Sequence, residues 1–461
     1  MNHRHHVVII GGGFAGLNAA KALKKASCSI TLIDRKNHHL FQPLLYQVAT
    51  GGLSPADISA PIRALLKSQK NVRVLMDSVT GFDVARNEVF LTGQTLKYDS
   101  LIIATGANHA YFGRDEWAKD APGLKTLQDA TAIRHKVLMA FEQAEVATTP
   151  TKRESWQNFV IVGAGPTGVE LAGALAELSK HTLKNDFRDF DPGQAKIFLV
   201  DAGPRVLPAF DPETSEKAEK SLVKLGVTIR PNCRVSQITE DGVSLETQQG
   251  SEFISSKTVL WAAGVRASLL GNRIAEQTAA ETDRAGRVVV SQDFSIPNHP
   301  NIFVVGDLAC YQHIGDAMLP GTAAVAQQAG SFVGRTLKRR LTGKPALPFK
   351  YIHYGDLAVI GRSAAVADIG KVKLSGVPAW WFWLVVHLMK LVDLQNRVTV
   401  LVQWAWSYVT RKRSARLITL DAVSLKLGPP GLKPLDERDP ENGVQPQEGS
   451  GKKKGKIRLI A

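Results

Sequence analysis

Residues 7–10, Val-Val-Ile-Ile, form the first wholly apolar run of the chain. A run that short and that β-branched predicts a strand buried on both faces. Gly11-x-Gly13-x-x-Gly16 follows, then a stretch of helical periodicity, then a second apolar run, CSITLID, which closes on Asp34 eighteen residues past Gly16. Strand, glycine turn, helix and strand make a βαβ unit. The pattern returns 152 positions later, with NFVIV ahead of Gly163-x-Gly165-x-x-Gly168 and AKIFLVD closing on Asp201. Here the interval is longer, and SKHTLKNDFRDFDPGQ predicts an extended helix and loop. Each unit ends on a similar strand, SLIIATGAN with Thr105-Gly106 and TVLWAAGVR with Ala263-Gly264. A later run, NIFVVGDLA, sets Gly306-Asp307 after another buried strand.

The glycine spacing has a mechanical meaning. Gly11 and Gly163 permit a tight turn, Gly13 and Gly165 let a pyrophosphate approach the backbone, and Gly16 and Gly168 let the helix pack close to its strand. The helix N-terminus offers free N–H groups to the phosphates. Asp34 would accept from a ribose hydroxyl, and Asp201 takes the matching place in the second unit. Asp307 is expected at a helix start, where an acid is favoured in any case; beside two nucleotide folds, a flavin contact is the preferred role.

Beyond residue 350 the pattern changes. VPAWWFWLVVHLMKLVDLQNR carries about sixteen mostly apolar residues, fewer than the ~20 of a membrane span. His387, Lys390, Asp393 and Arg397 are spaced for one helical face. NRVTVLVQWAWSYVTRKRSAR follows, with Asn396, Thr399, Gln403, Ser407 and Arg411 on one stripe. Five of the eight tryptophans fall between 380 and 406. A spanning pair would bury charge at roughly 2.5 kcal/mol or more per group. In-plane amphipathic helices explain both the indoles and the cations, with Trp380, Trp381, Trp383, Trp404, Trp406, Arg411, Lys412 and Arg413 meeting an anionic membrane surface. Core packing, within the chain or at a dimer interface, is the alternative.

Composition narrows the rest. A chain of 461 residues predicts two or three domains, and 44% hydrophobic with 21% charged residues is ordinary for a globular protein. The net charge of +15 suits nucleic acid, anionic lipid or anionic ligands alike. Cys28, Cys233 and Cys310 are scattered, which argues against a disulfide framework or a zinc site and fits an intracellular chain. No metal site is expected; His3, His5 and His6 read as a frayed basic terminus too short for a targeting segment.

Two glycine motifs and a Gly-Asp strand together resemble the flavoprotein disulfide reductase superfamily over roughly residues 7–335. That resemblance implies an α/β fold of two Rossmann-like dinucleotide-binding domains. FAD would occupy residues 1–120 and 290–345, and NADH residues 121–289. Residues 346–425 would form a C-terminal amphipathic-helix membrane-anchoring domain, and 426–461, rich in Pro, Gly and charge, a disordered tail. The implied cofactor contacts are Gly11, Gly13, Phe14, Ala15, Gly16, Asp34, Arg35, Val79, Thr105, Gly106, Gly306, Asp307 and Ala323 for FAD, with Gly163, Gly165, Thr167, Gly168, Asp201, Ala263 and Gly264 for NADH.

Disulfide reductases carry C-x4-C shortly after the first fold; NHHLFQPLLYQVATGGLSPADI has no cysteine there, so the electron acceptor is not a protein disulfide. LFQPLLYQVATGGLSP looks like the flavin-edge loop and helix of type II NADH dehydrogenases. LPGTAAVAQQAG resembles their quinone segment, A-Q-x-A-x-Q, with Ala323, Ala326 and Gln328 matching and Ala324 in the second place. Gln327 and Gln328 are therefore candidates to touch quinone, against the plainer role of solvent-facing helix residues. Glu170 matches a glutamate near the nicotinamide and the quinone route, against the plainer role of a first-turn acid. The C-terminal segment ending RSARLI resembles that of the bacterial enzymes as well.

The implied function is a monotopic flavoenzyme on the cytoplasmic side of the cell inner membrane. It would oxidise NADH, reduce membrane quinone through FAD without proton pumping, and form a homodimer. Two alternatives stay open: a basic flavoprotein that binds nucleic acid, or the same enzyme with a soluble acceptor. Against nucleic acid, basic and aromatic residues interleave only in the C-terminal helices.

Overall fold

The computed structural model describes residues 4–312, 318–370 and 372–418. His3 and the tail 426–461, with its KKKGK run, lie outside the described residues. The first unit runs β1 (His5–Ile10), α1 (Phe14–Ala22), β2 (Cys28–Asp34), α2 (Leu45–Ala49), β3 (Val72–Met76) and β4 (Ser100–Ile103). The second runs α3 (Leu127–Glu145), β5 (Asn158–Val162), α4 (Pro166–Glu177), β6 (Lys196–Val200), β7 (Val227–Arg230) and β8 (Thr258–Trp261). The chain then returns to the first through α5 (Leu269–Thr278), β9 (Ser295–Ile296), β10 (His299–Val304) and α6 (Ala323–Arg340). It closes with β11 (Asp356–Gly361), β12 (Ala364–Ile369), β13 (Val372–Gly376), α7 (Val377–Lys390) and α8 (Leu394–Thr410).

Both nucleotide-type sheets use one strand order. The first is β9-β10-β4-β1-β2-β3, parallel except for the β9–β10 pair; the second is β7-β6-β5-β8, all parallel. Each motif strand thus sits between the strand that leads to its acid and the strand that leads to Thr105-Gly106 or Ala263-Gly264. Residues 7–10 of β1 and the whole of β5 are buried, which explains why these runs are apolar without alternation. β1 begins earlier than its apolar run. His5 and His6 are not frayed: His5 Nε2 lies 3.0 Å from Ser100 Oγ, and the His6 amide donates to Asp99 Oδ2 at 2.6 Å.

Small residues set the close packing. A Cβ on Gly330 of α6 would lie 2.0 Å from the Ala15 carbonyl of α1, and one on Gly173 of α4 would lie 1.6 Å from the Ile360 carbonyl of β11. The second contact seats the antiparallel meander β11-β12-β13, which no sequence pattern announced, on the second unit. The return to the first unit comes ahead of the boundary expected at 290. A short antiparallel pairing of 107–109 with 265–267 carries the chain back, and Gln277 of α5 then donates to the Phe82 carbonyl at 2.6 Å.

The two terminal helices differ from expectation in one way. A break at 391–393 separates them, so His387, Lys390, Asp393 and Arg397 do not share a face; Asp393 caps α8, accepting from the Gln395 amide. The polar stripe of α8 faces the protein: Asn396 donates to the carbonyls of Ala56 and Ser59, and Ser407 lines a cavity between the helices and the body of the protein. The apolar side faces out, with Leu394, Val398, Val402, Trp406 and Val409 all exposed, continued on α7 by Trp381, Val385 and Met389. Among the described residues no helix is long and apolar enough to cross a membrane.

Candidate functional site

The two glycine motifs share the same backbone geometry and close contacts. Gly11 has φ +101° and Gly163 +105°, values that favour glycine. A Cβ on Gly16 would sit 1.9 Å from the Gly11 carbonyl, and one on Gly168 1.8 Å from that of Gly163. A Cβ on Gly13 or Gly165, by contrast, would meet no other part of the fold within 4 Å. The first and third glycines are required by the fold, and the second by what approaches it. Asp34 Oδ2 accepts from the Gly12 amide at 2.6 Å, and Asp201 Oδ2 accepts from the Ala164 amide at 2.6 Å. Each acid braces its own loop and retains lone pairs for a ribose.

Around the first motif the expected FAD contacts converge. A Cβ on Gly306 would meet Ala15 at 3.3 Å and Ala326 at 3.6 Å, and Gly321, just before α6, lies against the Asp307 carboxyl. Asp307 lies at a helix start, as expected, in a single turn, Gly306–Leu308. Thr105 Oγ1 is buried without a hydrogen-bond partner at the end of β4. His39, also buried, bonds the Gly12 carbonyl at 2.9 Å through Nδ1, and its Nε2 has no partner. Phe14 meets the His39 ring edge-on at 5.1 Å, Arg35 is exposed, and Val79 packs at the margin of the first core. An open cradle with unpaired polar atoms fits FAD. Beside the second motif, Thr167 is half-buried in the first turn of α4, and Arg205 Nη1 is buried and unpartnered.

A cavity of about 300 Å³ lies where α2, α4, the meander and both terminal helices meet. Tyr46, Gln47, Glu170, Val359, Trp383 and Trp404 form its wall, while the exposed His181, Arg362, Tyr408 and Arg411 form its rim. Glu170 opens onto the cavity deep in the molecule, and burial pushes its carboxyl well above the ordinary carboxylate range despite a bond from the Val359 backbone. Burial, with the neighbouring Glu170, likewise raises Tyr46 well above an ordinary phenol. Trp404 Nε1 donates to Gln47 Oε1 at 2.8 Å, and Gln47 Nε2 donates to Tyr46 Oη at 2.8 Å. Trp383 is 2% exposed, stacks on His387 at 4.4 Å, and leaves Nε1 buried without a partner. This wall is apolar with a few unspent donors, as a site for a flat, carbonyl-bearing molecule should be.

Several expected site residues lie elsewhere. Gln327 and Gln328 do not reach the Glu170 cavity; they line a separate one of about 770 Å³ beside Asn18, Arg335 and Lys390. Gln328 clips the chain ahead of the meander, its amide donating to the Ile352 carbonyl at 2.9 Å and accepting from the Ile352 amide at 3.0 Å. Of the tryptophans assigned to a membrane surface, Trp383 is core, and Trp380 and Trp404 pack against it; only Trp381 and Trp406 are exposed. Arg413 is turned inward too, donating to the Thr50 carbonyl at 3.0 Å and pairing with Glu177 at 3.4 Å. Arg416 pairs with Asp186. Arg411 and Lys412 remain exposed. Tyr46 and Gln47 were hidden in a short apolar run; the signal that marks them is two adjacent polar groups in an otherwise aliphatic helix. The three cysteines are free and buried, and among the described residues no group of His, Cys, Asp and Glu is placed to hold a metal.

Comparison with known proteins follows the same lines. A family model described as pyridine nucleotide-disulphide oxidoreductase matches residues 5–330, and one described as NDH2 C-terminal domain matches residues 353–412. The chain is 46% identical over 424 residues to a type II NADH:quinone oxidoreductase of Mycobacterium tuberculosis, covering 90% of each. A second such protein of that organism is 45% identical over 435 residues, covering 92% of this chain and 91% of the relative. The solved structure of NDH2 from Plasmodium falciparum in complex with NADH superposes with a TM-score of 0.83 at 20% identity, over 90% of this chain and 100% of that one. The sulfide:quinone oxidoreductase of Aquifex aeolicus does so with a TM-score of 0.67 at 20% identity, over 85% and 92%. At those identities the structural likeness is one of fold.

Proposed function

The chain belongs to the type II NADH:quinone oxidoreductases, and from that premise we propose how its residues divide the work. The protein is a membrane-associated flavoenzyme that oxidises NADH and reduces quinone, with FAD as cofactor and without proton pumping. FAD supplies the hydride acceptor and the donor of two electrons; positioning, exclusion of water and proton placement fall to the chain.

Gly11, Gly13 and Gly16 with Ala15, Asp34, Thr105, Gly306, Asp307 and Ala323 hold FAD. Gly163, Gly165, Thr167, Gly168 and Asp201 hold NADH, with Ala263-Gly264 at the end of the same sheet. The discontinuous FAD domain includes α5. Glu170 is the proton-holding group of the quinone cavity: burial raises its carboxyl well above the ordinary range, so it holds a proton more firmly than an exposed carboxyl and can give it where quinone gains negative charge. Gln327 acts outside that cavity, and Gln328 chiefly orders residues near 352.

The observation that carries this reading is the cavity's place in the fold. Its wall includes Trp383 and Trp404, from the same two helices whose outward sides are apolar. A contiguous exposed apolar face marks an interaction surface. Trp381 and Trp406 on that face, with Arg411 and Lys412 at its margin, favour a lipid headgroup zone over a second protein. The membrane is the inner membrane, approached from the cytoplasmic side where NADH is made. A homodimer joined away from this face belongs to the same reading, and nucleic acid has no part in it.

The test is to purify the protein with lipid, record its flavin spectrum and follow NADH-driven reduction of a quinone. Quinone reduction with a bound flavin is the expected result; NADH oxidation that passes no electrons to quinone would overturn the proposal. Sedimentation and a DNA titration check the dimer and the exclusion of nucleic acid.

A further inference from the structure

We infer that Trp404 and Gln47 are positioning residues that commit the Tyr46 hydroxyl to donate its hydrogen to a quinone oxygen. The inference rests on the assignment of the Glu170 cavity to quinone.

An indole N–H donates and never accepts. Trp404 Nε1 lies 2.8 Å from the Gln47 side-chain amide, so the oxygen of that amide must face it. The amide nitrogen is then turned to Tyr46, 2.8 Å from Oη. An amide NH2 only donates, so Oη accepts there. Amide orientation is usually an assignment between two near-equal choices; here a one-way donor at the far end removes the choice. The hydrogen of Tyr46 cannot be spent on Gln47. Among the described residues no acceptor for it is recorded, and Tyr46 lines the cavity. Burial keeps the phenol protonated, so the donor persists at working pH.

The chain of bonds crosses the fold. Trp404 sits on α8, two residues from the outward-facing Trp406, whereas Gln47 and Tyr46 sit on α2. The hydrogen-bond polarity of the quinone site is therefore set from the helix whose opposite side is apolar and exposed. If α8 leaves its place, the Gln47 amide is free to flip, and Tyr46 can turn its hydrogen on Gln47 Oε1.

Trp404→Phe keeps a ring and deletes the donor. The experiment measures binding of a short-chain quinone to the holoenzyme by calorimetry in the absence of NADH. It also measures the ratio of quinone to ferricyanide turnover with NADH, since ferricyanide takes electrons without protons. Trp404→Phe should weaken quinone binding and lower that ratio by about tenfold, the weight of one hydrogen bond. Tyr46→Phe should do the same, and the double variant should lose no more than either, because both delete one interaction. Unchanged quinone binding in Trp404→Phe would overturn the inference, as would losses that add in the double variant, which indicate packing alone. If Trp404→Phe does not retain flavin, Gln47→Met enters the same cycle with the same two outcomes. A wild-type enzyme that passes no electrons from NADH to quinone would instead overturn the functional assignment.

Discussion

Arg413 Nη2 lies 3.4 Å from Glu177 Oε2, tying the segment after the last helix to the end of the helix that begins at the second glycine motif. Both side chains are largely shielded, and Arg413 also holds the Thr50 carbonyl. The pair therefore spans three regions around the cavity: the turn after α2, the end of α4 and the segment after α8. Removing one member of a buried pair strands the other, at about 3 kcal/mol. Arg413→Gln should lower the melting temperature and make residues beyond 376 the first site of limited proteolysis. A variant as stable and as resistant as wild type would show the pair to be incidental.

Glu170 gives a prediction with a sign. Its folded-state pKa is raised, so the folded protein holds this proton to higher pH than the unfolded chain does. The contribution to stability is complete below the unfolded value of about 4.3 and is lost as pH rises toward the folded value. Glu170→Gln removes that loss. The variant should melt higher than wild type at neutral pH, converge with it near pH 4, and lose about a hundredfold in quinone turnover. Melting curves across pH, read beside turnover, check both; a variant less stable at neutral pH would contradict the burial argument.

His387 works in the opposite direction. Burial against Trp383 and Phe41 lowers its pKa to about 4. Its neutral form stabilises the fold fully above the unfolded value of about 6.5, and the contribution falls away as pH drops through 4, by up to about 3 kcal/mol. Acid should therefore loosen the terminal helices first. Hydrogen exchange in residues 377–410 should rise between pH 6.5 and 4 in wild type, and much less in His387→Phe. Equal acid sensitivity in both proteins would remove His387 from the account.

Asp201 bears on the choice of nicotinamide. A carboxylate at the strand end accepts from a ribose hydroxyl and repels a 2′-phosphate. NADH should outperform NADPH by about tenfold or more, a difference of ~1.4 kcal/mol. Asp201→Asn should narrow the ratio, since Arg205, with one buried unpartnered nitrogen, stands nearby in sequence. Equal rates with both nucleotides in the wild type would refute this role for Asp201.

The nucleotide folds were legible because their chemistry is local. Two glycine motifs, each with its strand, helix and acid, required no distant partner to interpret, and both sheets take the same strand order. The cavity was less legible because its wall is assembled from residues far apart in sequence. Arg413 looked like a lipid-facing cation since nothing near it announces Glu177, and Trp383 looked interfacial since its buried neighbours come from other elements. The stripe of α8 shows the limit most directly. Periodicity identified the polar stripe, but Val400 and Trp404, set apart from it by spacing, also turn inward, and which face meets the protein depends on what the protein offers. It offers the Ala56 and Ser59 carbonyls to Asn396, so the polar face turns inward and the apolar face is left to the outside. Gln327 and Gln328 show a related limit: a motif fixes a helix position, but Ile352 decides where the Gln328 amide goes.

The most direct test of the account asks whether the cavity takes its quinone from lipid. Val402 and Trp406 are 62% and 65% exposed and are absent from the cavity wall. Inserting such side chains into lipid is worth about 1.5–3 kcal/mol each. The measurement is NADH-driven turnover of the Val402→Asp/Trp406→Glu double variant with a long-chain quinone in vesicles, against turnover with a short-chain, water-soluble quinone. The account predicts that the variant loses tenfold or more with the lipid-borne quinone, about what those energies allow, and keeps wild-type turnover with the soluble one. Wild-type turnover with both would contradict it.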